Sequence, residues 1–384
     1  MLKAGRHSIA VNSVPRHVYV HVPFCARRCT YCDFAIAVRR EVPVRGYVAG
    51  VAAELRLRLE AGAPSEVDTI YLGGGTPSLL GATGIADVLG VLEPYFSRMP
   101  NAEVTLEANP EDVTEVAAAA WRTAGINRVS LGIQSFDPRV LAWMHRVHDV
   151  AGAERAAHVI AAAGFTSWSL DLIFAVPPEL DRNWMRDLDA ALALAPPHIS
   201  TYGLTVEPQT PLSKWLARGI ATAVSEETYE KEFLETHQTL TQAGLIHYEV
   251  SNYGLPGHGS RHNSAYWTGA SYLGVGPSAH SFTGSSRRWN TREYQAWSAQ
   301  LQNRVDPVGG SEVLTQEQRE LEQRYLGLRS SDGIRVDEVP SEIVESWAGQ
   351  GWAMVEESRV RLTPTGWLRL DALVAALTTH SNRC

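Results

Sequence analysis

Three of the four cysteines in this chain fall within one stretch, HVPFCARRCTYCDF, residues 21–34. Three residues separate Cys25 from Cys29, two separate Cys29 from Cys32, and the position two beyond Cys32 is Phe34. Thiolates are soft ligands, so the first chemistry to weigh is a metal. Structural zinc asks for four protein ligands closed into a tetrahedron. Three cysteines with no histidine at ligand spacing leave that set incomplete, and His21 falls inside an expected strand, where a structural role is expected of it. A 4Fe-4S cubane takes one thiolate per iron, so Cys25, Cys29 and Cys32 would hold three irons and leave the fourth open. An open iron can bind a small molecule through an amino and a carboxylate group. On the residues alone, an incomplete zinc site and reactive thiols without metal stay as the competing readings.

Other residues with chemistry recur where expected strands end. In YLGGGTPS (71–78), Gly74, Gly75 and Thr76 follow a strand directly. Glycines there let a backbone approach a ligand and present its N–H groups, although a tight turn uses the same residues. Glu107 closes the strand before Asn109 in LEANP, Gln134 sits in LGIQSF, and Arg146 sits in MHRVH. Asp171 lies inside the apolar run LDLIFAVP, where a lone carboxylate is costly unless it is paired or binds something. Tyr19 and Tyr31 flank the cysteines. RHNSAYW (261–267) groups His262, Asn263, Tyr266 and Trp267. An imidazole can ligate heme iron and aromatic rings can pack on the macrocycle, and plain core packing is the competing explanation. His258 and His280 are further imidazoles that do not rank ahead of His262.

These residues need elements to hold them. Strands are expected at 17–22, 69–74, 103–108, 128–133, 168–174, 198–206, 247–253 and 272–276, from runs rich in β-branched and aromatic residues. Helices are expected at 47–61, 84–96, 114–125, 151–164, 183–195 and 225–244, the last with Ser225 as its N-cap and Gly244 at its end. Strand–helix alternation implies right-handed crossovers and a parallel sheet. The fold class is therefore α/β, a barrel or partial barrel, with a doubly wound open sheet as the runner-up. The cysteines follow the first strand, at the end where α/β barrels place their sites. The rhythm changes near Ala299: 302–313 reads as a linker, followed by helix, helix, hairpin and helix. The expected division is a tail over 1–16, a barrel over 17–300 and a small winged-helix-like α+β domain over 301–384.

YVHVPFCARRCTYCDF (19–34), with the glycine loop and the strand-end residues, resembles the radical S-adenosylmethionine (radical SAM) superfamily over most of the chain. It is similar to the coproporphyrinogen III dehydrogenase-like branch, and within it to the HemW group of heme chaperones. The resemblance implies a radical SAM partial TIM-type barrel and a 4Fe-4S cluster on Cys25, Cys29 and Cys32. It implies binding of S-adenosyl-L-methionine by Gly74, Gly75, Thr76, Glu107, Gln134, Arg146 and Asp171, with Tyr19 and Tyr31 beside the cofactor. It also implies heme binding, with His262, Tyr266 and Trp267 as candidate heme residues on the HNxxYW pattern. Two departures from the dehydrogenase favour the chaperone group. Phe34 stands where the dehydrogenase carries a further cysteine, and fewer than twenty residues precede the first strand, where the dehydrogenase has an extension. The expected function is to bind heme and pass it to respiratory hemoproteins, with oxygen-independent coproporphyrinogen III dehydrogenase as the alternative. Peripheral membrane association and a homodimer are expectations of the resemblance alone.

The bulk composition agrees. A net charge of −8 argues against a general nucleic-acid binder, and against a radical enzyme acting on RNA. The C-terminal domain, lacking a basic recognition helix, is expected to be a structural cap. No apolar run reaches the ~18 residues a membrane helix needs, and MLKAGRHSIAVNSVPR lacks the apolar segment of a secretory signal. Few cysteines, mostly clustered, argue against a disulfide framework and for a reducing cytoplasm. Cys384, the last residue, is expected to be a free thiol without a role.

Overall fold

The structure is a computed structural model and describes residues 15–60 and 62–381. Most of the expected N-terminal tail, and Cys384, lie outside the described residues.

Six parallel strands come in chain order: β1 (His17–Val22), β2 (Ser65–Gly74), β3 (Phe96–Ala108), β4 (Arg128–Gln134), β5 (Ser167–Phe174) and β6 (His198–Gly203). Each pairs with the next, and the register sets Tyr19 beside Tyr71 and Val22 beside Gly74. Such sequential order is that of a barrel wall, whereas a doubly wound sheet reverses at a switch point. Two short antiparallel strands, β7 (Ile246–Glu249) and β8 (Asn252–Gly254), finish one edge. On the other side β1 pairs in parallel with β9 (Tyr272–Val275), and β10 (His280–Thr283), β11 (Ser286–Asn290) and β12 (Val308–Val313) follow antiparallel. The two edges do not pair with each other, so the barrel is partial.

The connecting helices are α1 (Val44–Arg58), α2 (Gly81–Leu92), α3 (Glu115–Ala124), α4 (Val150–Ala162), α5 (Trp184–Ala193) and α6 (Glu226–Gln242). Strand period 2 divides β1: Val18, Val20 and Val22 are fully buried and join one core with Tyr47, Val51 and Leu55 of α1. Tyr19 and His21, on the other face, point into the barrel, where Tyr19 stacks on Tyr71. Burying each such valine contributes about 1.5–3 kcal/mol. The caps follow the sequence: Thr114, Asp149, Asn183 and Ser225 each accept a backbone N–H from the first turn of their helix. A further helix, α7 (Arg261–Trp267), carries the RHNSAYW motif, and α8 (Tyr294–Gln302) packs on α1.

The stretch 302–313 is not a linker throughout. Val308–Val313 pairs with β11, so the barrel sheet extends past residue 300 to Val313. Gly309 and Gly310 are what misled: a Cβ at Gly309 would meet the Asn290 carbonyl oxygen, and one at Gly310 the Trp289 ring, so the strand needs them bare. Beyond it come α9 (Gln316–Leu328), opened by a Thr315–Gln318 capping box, and α10 (Ser341–Gly349). The strands Ile334–Arg335, Ala353–Glu356 and Arg359–Leu362 form a small sheet, and α11 (Leu370–Ser381) ends the described chain.

Candidate metal and cofactor site

The C-terminal ends of the parallel strands open into a cavity of about 760 Å³. Cys25, Cys29 and Cys32 all line it, from the loop after β1. Thr76 Oγ1 donates to Cys25 Sγ at 3.5 Å, and Arg146 Nη1 donates to Cys29 Sγ at 3.6 Å. Burial pushes the Cys25 thiol up to about 11 and also raises Cys32, so these groups are thiols until a metal takes them as thiolates. No three His, Cys, Asp or Glu side chains among the described residues converge on a point fit for a single ion. Cys25, Cys29 and Cys32 bring three soft donors to one cavity, a donor set that fits three irons of a cubane.

The glycine loop lies against the cysteine segment. Gly75 N donates to the Val22 carbonyl at 2.8 Å, and a Cβ on Gly75 would stand 2.7 Å from the Phe24 carbonyl oxygen and 3.0 Å from Cys25 Sγ. Gly74 needs the left-handed region, at φ 114°. Its N–H donates to Glu107 Oε2 at 3.0 Å, and Tyr71 donates to Glu107 Oε1 at 2.8 Å. Burial nevertheless raises Glu107 to about 7. The folded pKa lies above the unfolded value, so this group's contribution to stability is present at low pH and lost as pH rises toward and through 7. Glu107→Gln removes that dependence. Relative to the parent, the cluster-free variant is expected to melt higher at pH 8 than at pH 5, a comparison that thermal melts at both pH values make directly.

Four more expected residues line the cavity. Asp171 accepts from Ser130 Oγ at 2.8 Å and Ser169 Oγ at 3.1 Å, and burial raises its pKa. Gln134 ends β4 at φ 72°, a left-handed position that turns its chain at the rim. Arg146 bridges three groups: Cys29, Asn109 Oδ1 at 2.6 Å and the Gly132 carbonyl at 2.8 Å. Tyr31 packs against the cluster of Val140, Met144 and Ile173, and burial raises its hydroxyl.

Sequence reasoning missed Asn109, Glu111, His148, Tyr202 and Arg329. His148 Nε2 meets the Ile133 carbonyl at 3.1 Å and Nδ1 meets Glu111 Oε2 at 3.2 Å. A carbonyl only accepts, so Nε2 carries hydrogen. Burial opposes the Glu111 charge, yet His148 and Arg146 hold its carboxyl below the usual range. Glu111 is thus a carboxylate fixed at the cavity wall. The signal was the second histidine of MHRVH, 37 positions from Glu111.

With this geometry in view, the chain compares with known proteins as follows. The Radical SAM superfamily profile matches residues 19–191. Heme chaperone HemW of Mycobacterium tuberculosis is 38% identical over 370 residues, covering 94% of this chain and 95% of the relative. Heme chaperone HemW of Escherichia coli is 36% identical over 267 residues, covering 69% of this chain and 70% of the relative. The chain belongs to the HemW family of the radical SAM superfamily. Among solved structures, coproporphyrinogen III oxidase (HemN) from Escherichia coli superimposes with a TM-score of 0.80 over 97% of this chain and 92% of its own, at 22% identity, a likeness of fold.

Of the other expected residues in this HemW family chain, Tyr19 and the HNxxYW group stand apart from the cavity lining. Tyr19 does not line the cavity; it lies beneath Gly73, midway along β1, with its hydroxyl 3.2 Å from His21 Nδ1. Strand alternation explains this, because Tyr19 points inward three residues before the strand ends. The HNxxYW residues are also elsewhere. His262 is 1% exposed, its Nδ1 lies 2.7 Å from Thr69 Oγ1, and its Nε2 lies 2.8 Å from Tyr266 Oη. Both ring nitrogens are engaged, so this arrangement does not suit an axial ligand. Trp267 packs under the Arg329 guanidinium at 4.4 Å, and the Glu103 carboxylate accepts the N–H groups of Arg261 and His262. The motif holds α7 inside the unclosed side of the barrel, against Tyr71. Replacing His262 by alanine opens a void and strands the buried Tyr266 hydroxyl, while Thr69 Oγ1 keeps His17. The expected cost is about 2–4 kcal/mol of stability. Urea unfolding of the cluster-free variant measures it, and a stable variant with weakened heme binding would restore the axial role.

Proposed function

We propose that the chain is a heme chaperone that carries a 4Fe-4S cluster, binds S-adenosylmethionine, and hands heme to recipient respiratory hemoproteins. The observation that carries this reading is 38% identity across 94% of the chain to a protein named heme chaperone. The cavity supports it: three cysteines, a bare glycine loop and a ring of buried polar groups face one space of about 760 Å³. When bound, the cluster supplies an open iron and an electron. The chain's own part is to hold and orient. Cys25, Cys29 and Cys32 anchor the cluster, and the thiols give up their protons to do so. Gly74, Gly75 and Thr76 offer backbone and hydroxyl groups to S-adenosylmethionine, with Glu107 placed to receive its ammonium group. Gln134, Arg146 and Asp171 take the rest of that ligand, and Tyr31 closes the wall. Tyr19, His262, Tyr266 and Trp267 support this wall from below.

Phe34 bears on the competing porphyrinogen reading. It is 59% exposed at the cavity rim and brings no sulfur there. Among the described residues no helix is long and apolar enough to cross a membrane. One anaerobic preparation tests the function. The reconstituted protein is titrated with heme and, in parallel, incubated with coproporphyrinogen III and S-adenosylmethionine. Stoichiometric heme binding with no vinyl product supports the chaperone. A product with two new vinyl groups overturns it.

A further inference from the structure

The loop that carries the cysteines runs on into a basic segment of an acidic chain. Residues 23–45 hold five arginines, Arg27, Arg28, Arg39, Arg40 and Arg45, against two acids, Asp33 and Glu41, while the whole chain carries −8. None of the five makes an ion pair among the described residues, whereas Arg16, Arg139, Arg335 and Arg361 elsewhere on the surface each do. Gathering guanidinium groups without counter-ions costs self-repulsion, and a partner's carboxylates would relieve it.

The segment forms one wall of a groove of about 580 Å³, whose other wall is Arg292–Gln295. Arg28, Arg39 and Arg292 line the groove with one acid, Glu293. Arg292 reaches across and donates to the Asp33 carbonyl, which ties the two walls together. Pro23, Ile36, Val38 and Tyr294 supply apolar surface inside it. Phe34 and Ile36 line both this groove and the cavity of the cysteines, so the two spaces are divided by a single turn of chain.

A bilayer surface calls for a protruding apolar set backed by basic residues. Here the feature is concave, and only Phe34 and Val38 are strongly exposed. A nucleic-acid strand needs a basic track longer than one groove with three arginines. A protein surface fits: carboxylates meet the guanidinium rim while one projecting apolar side chain enters the groove. We propose that this face docks an acidic protein partner, which inserts an apolar side chain between Phe34 and Tyr294 and so covers the mouth of the cysteine cavity.

The test uses the full chain and a fluorescent 16-residue peptide of glutamate and aspartate with one central tryptophan, read by anisotropy. Binding is expected at 20 mM salt and is expected to weaken about tenfold or more by 200 mM, as surface charge pairing does. Arg28→Glu with Arg39→Glu should remove about a further tenfold, and Arg28→Gln with Arg39→Gln a smaller part. The control pair Arg155→Glu with Arg218→Glu makes the same charge change on isolated exposed arginines and should bind nearly as the parent does. Thermal melts confirm that each variant is folded. Absence of salt-dependent binding by the parent overturns the proposal, as does equal loss in patch and control variants. Tighter binding to phosphatidylglycerol vesicles or single-stranded RNA than to the peptide, with the same arginine dependence, also overturns it in favour of that ligand.

Discussion

Cys29→Ser is expected to lose nearly all of its iron and acid-labile sulfide after anaerobic reconstitution. A serine oxygen is a harder and far less acidic ligand than a thiolate, and a cubane held at two corners has lost a third of its protein anchorage. Cys29 is also where Arg146 donates, 3.6 Å from the sulfur, so the exchange takes that sulfur acceptor from a buried guanidinium. Arg146 keeps Asn109 and the Gly132 carbonyl, which should hold the fold. The measurement is iron and sulfide per chain together with a melting curve. Loss of cluster with a melt close to that of the cluster-free parent is the expected result. Full retention of iron and sulfide would remove Cys29 from the ligand set. Cys384→Ser should leave both numbers unchanged, since that residue lies far along the sequence from the motif.

Gly75→Ala is the second large effect. The added methyl would stand 2.7 Å from the Phe24 carbonyl oxygen and 3.0 Å from Cys25 Sγ, and the first of these is backbone that cannot swing aside. The glycine loop and the cysteine strand must part, at a cost of about 1–3 kcal/mol for overpacking. That movement displaces a cluster ligand and the loop that would meet S-adenosylmethionine in one step. Cluster content should fall and S-adenosylmethionine affinity should drop about tenfold or more, as calorimetry on reconstituted protein would show. Affinity and stability both equal to the parent's would mean that the loop is only a turn.

The sequence signals that proved reliable were local and periodic. The β-branched and aromatic run HVYVHV and the cap at Ser225 each describe a structure made by neighbours in the chain. The cysteines and YLGGGTPS were legible as a site because both follow strands that lie side by side. What could not be read depends on distant packing. Gly309 and Gly310 look like a flexible joint until Trp289 and Asn290 are placed against them. HNxxYW reads as an open heme motif until Thr69 and Tyr266 are found on the two nitrogens of His262. Glu111 and His148 stand 37 positions apart, and the fold alone brings them together. The same holds for Arg329, which enters the cavity from α9's end and pairs with buried Glu249 at 3.2 Å.

A cubane held by three cysteines, with one iron left to an incoming ligand, is the claim on which the functional reading rests. Mössbauer and electron paramagnetic resonance spectra of anaerobically reconstituted protein, recorded with and without S-adenosylmethionine, test it most directly. The prediction is about four irons and four sulfides per chain, with one iron changing its signal when S-adenosylmethionine is added. A mononuclear zinc centre, or a cluster whose spectra ignore S-adenosylmethionine, would contradict it.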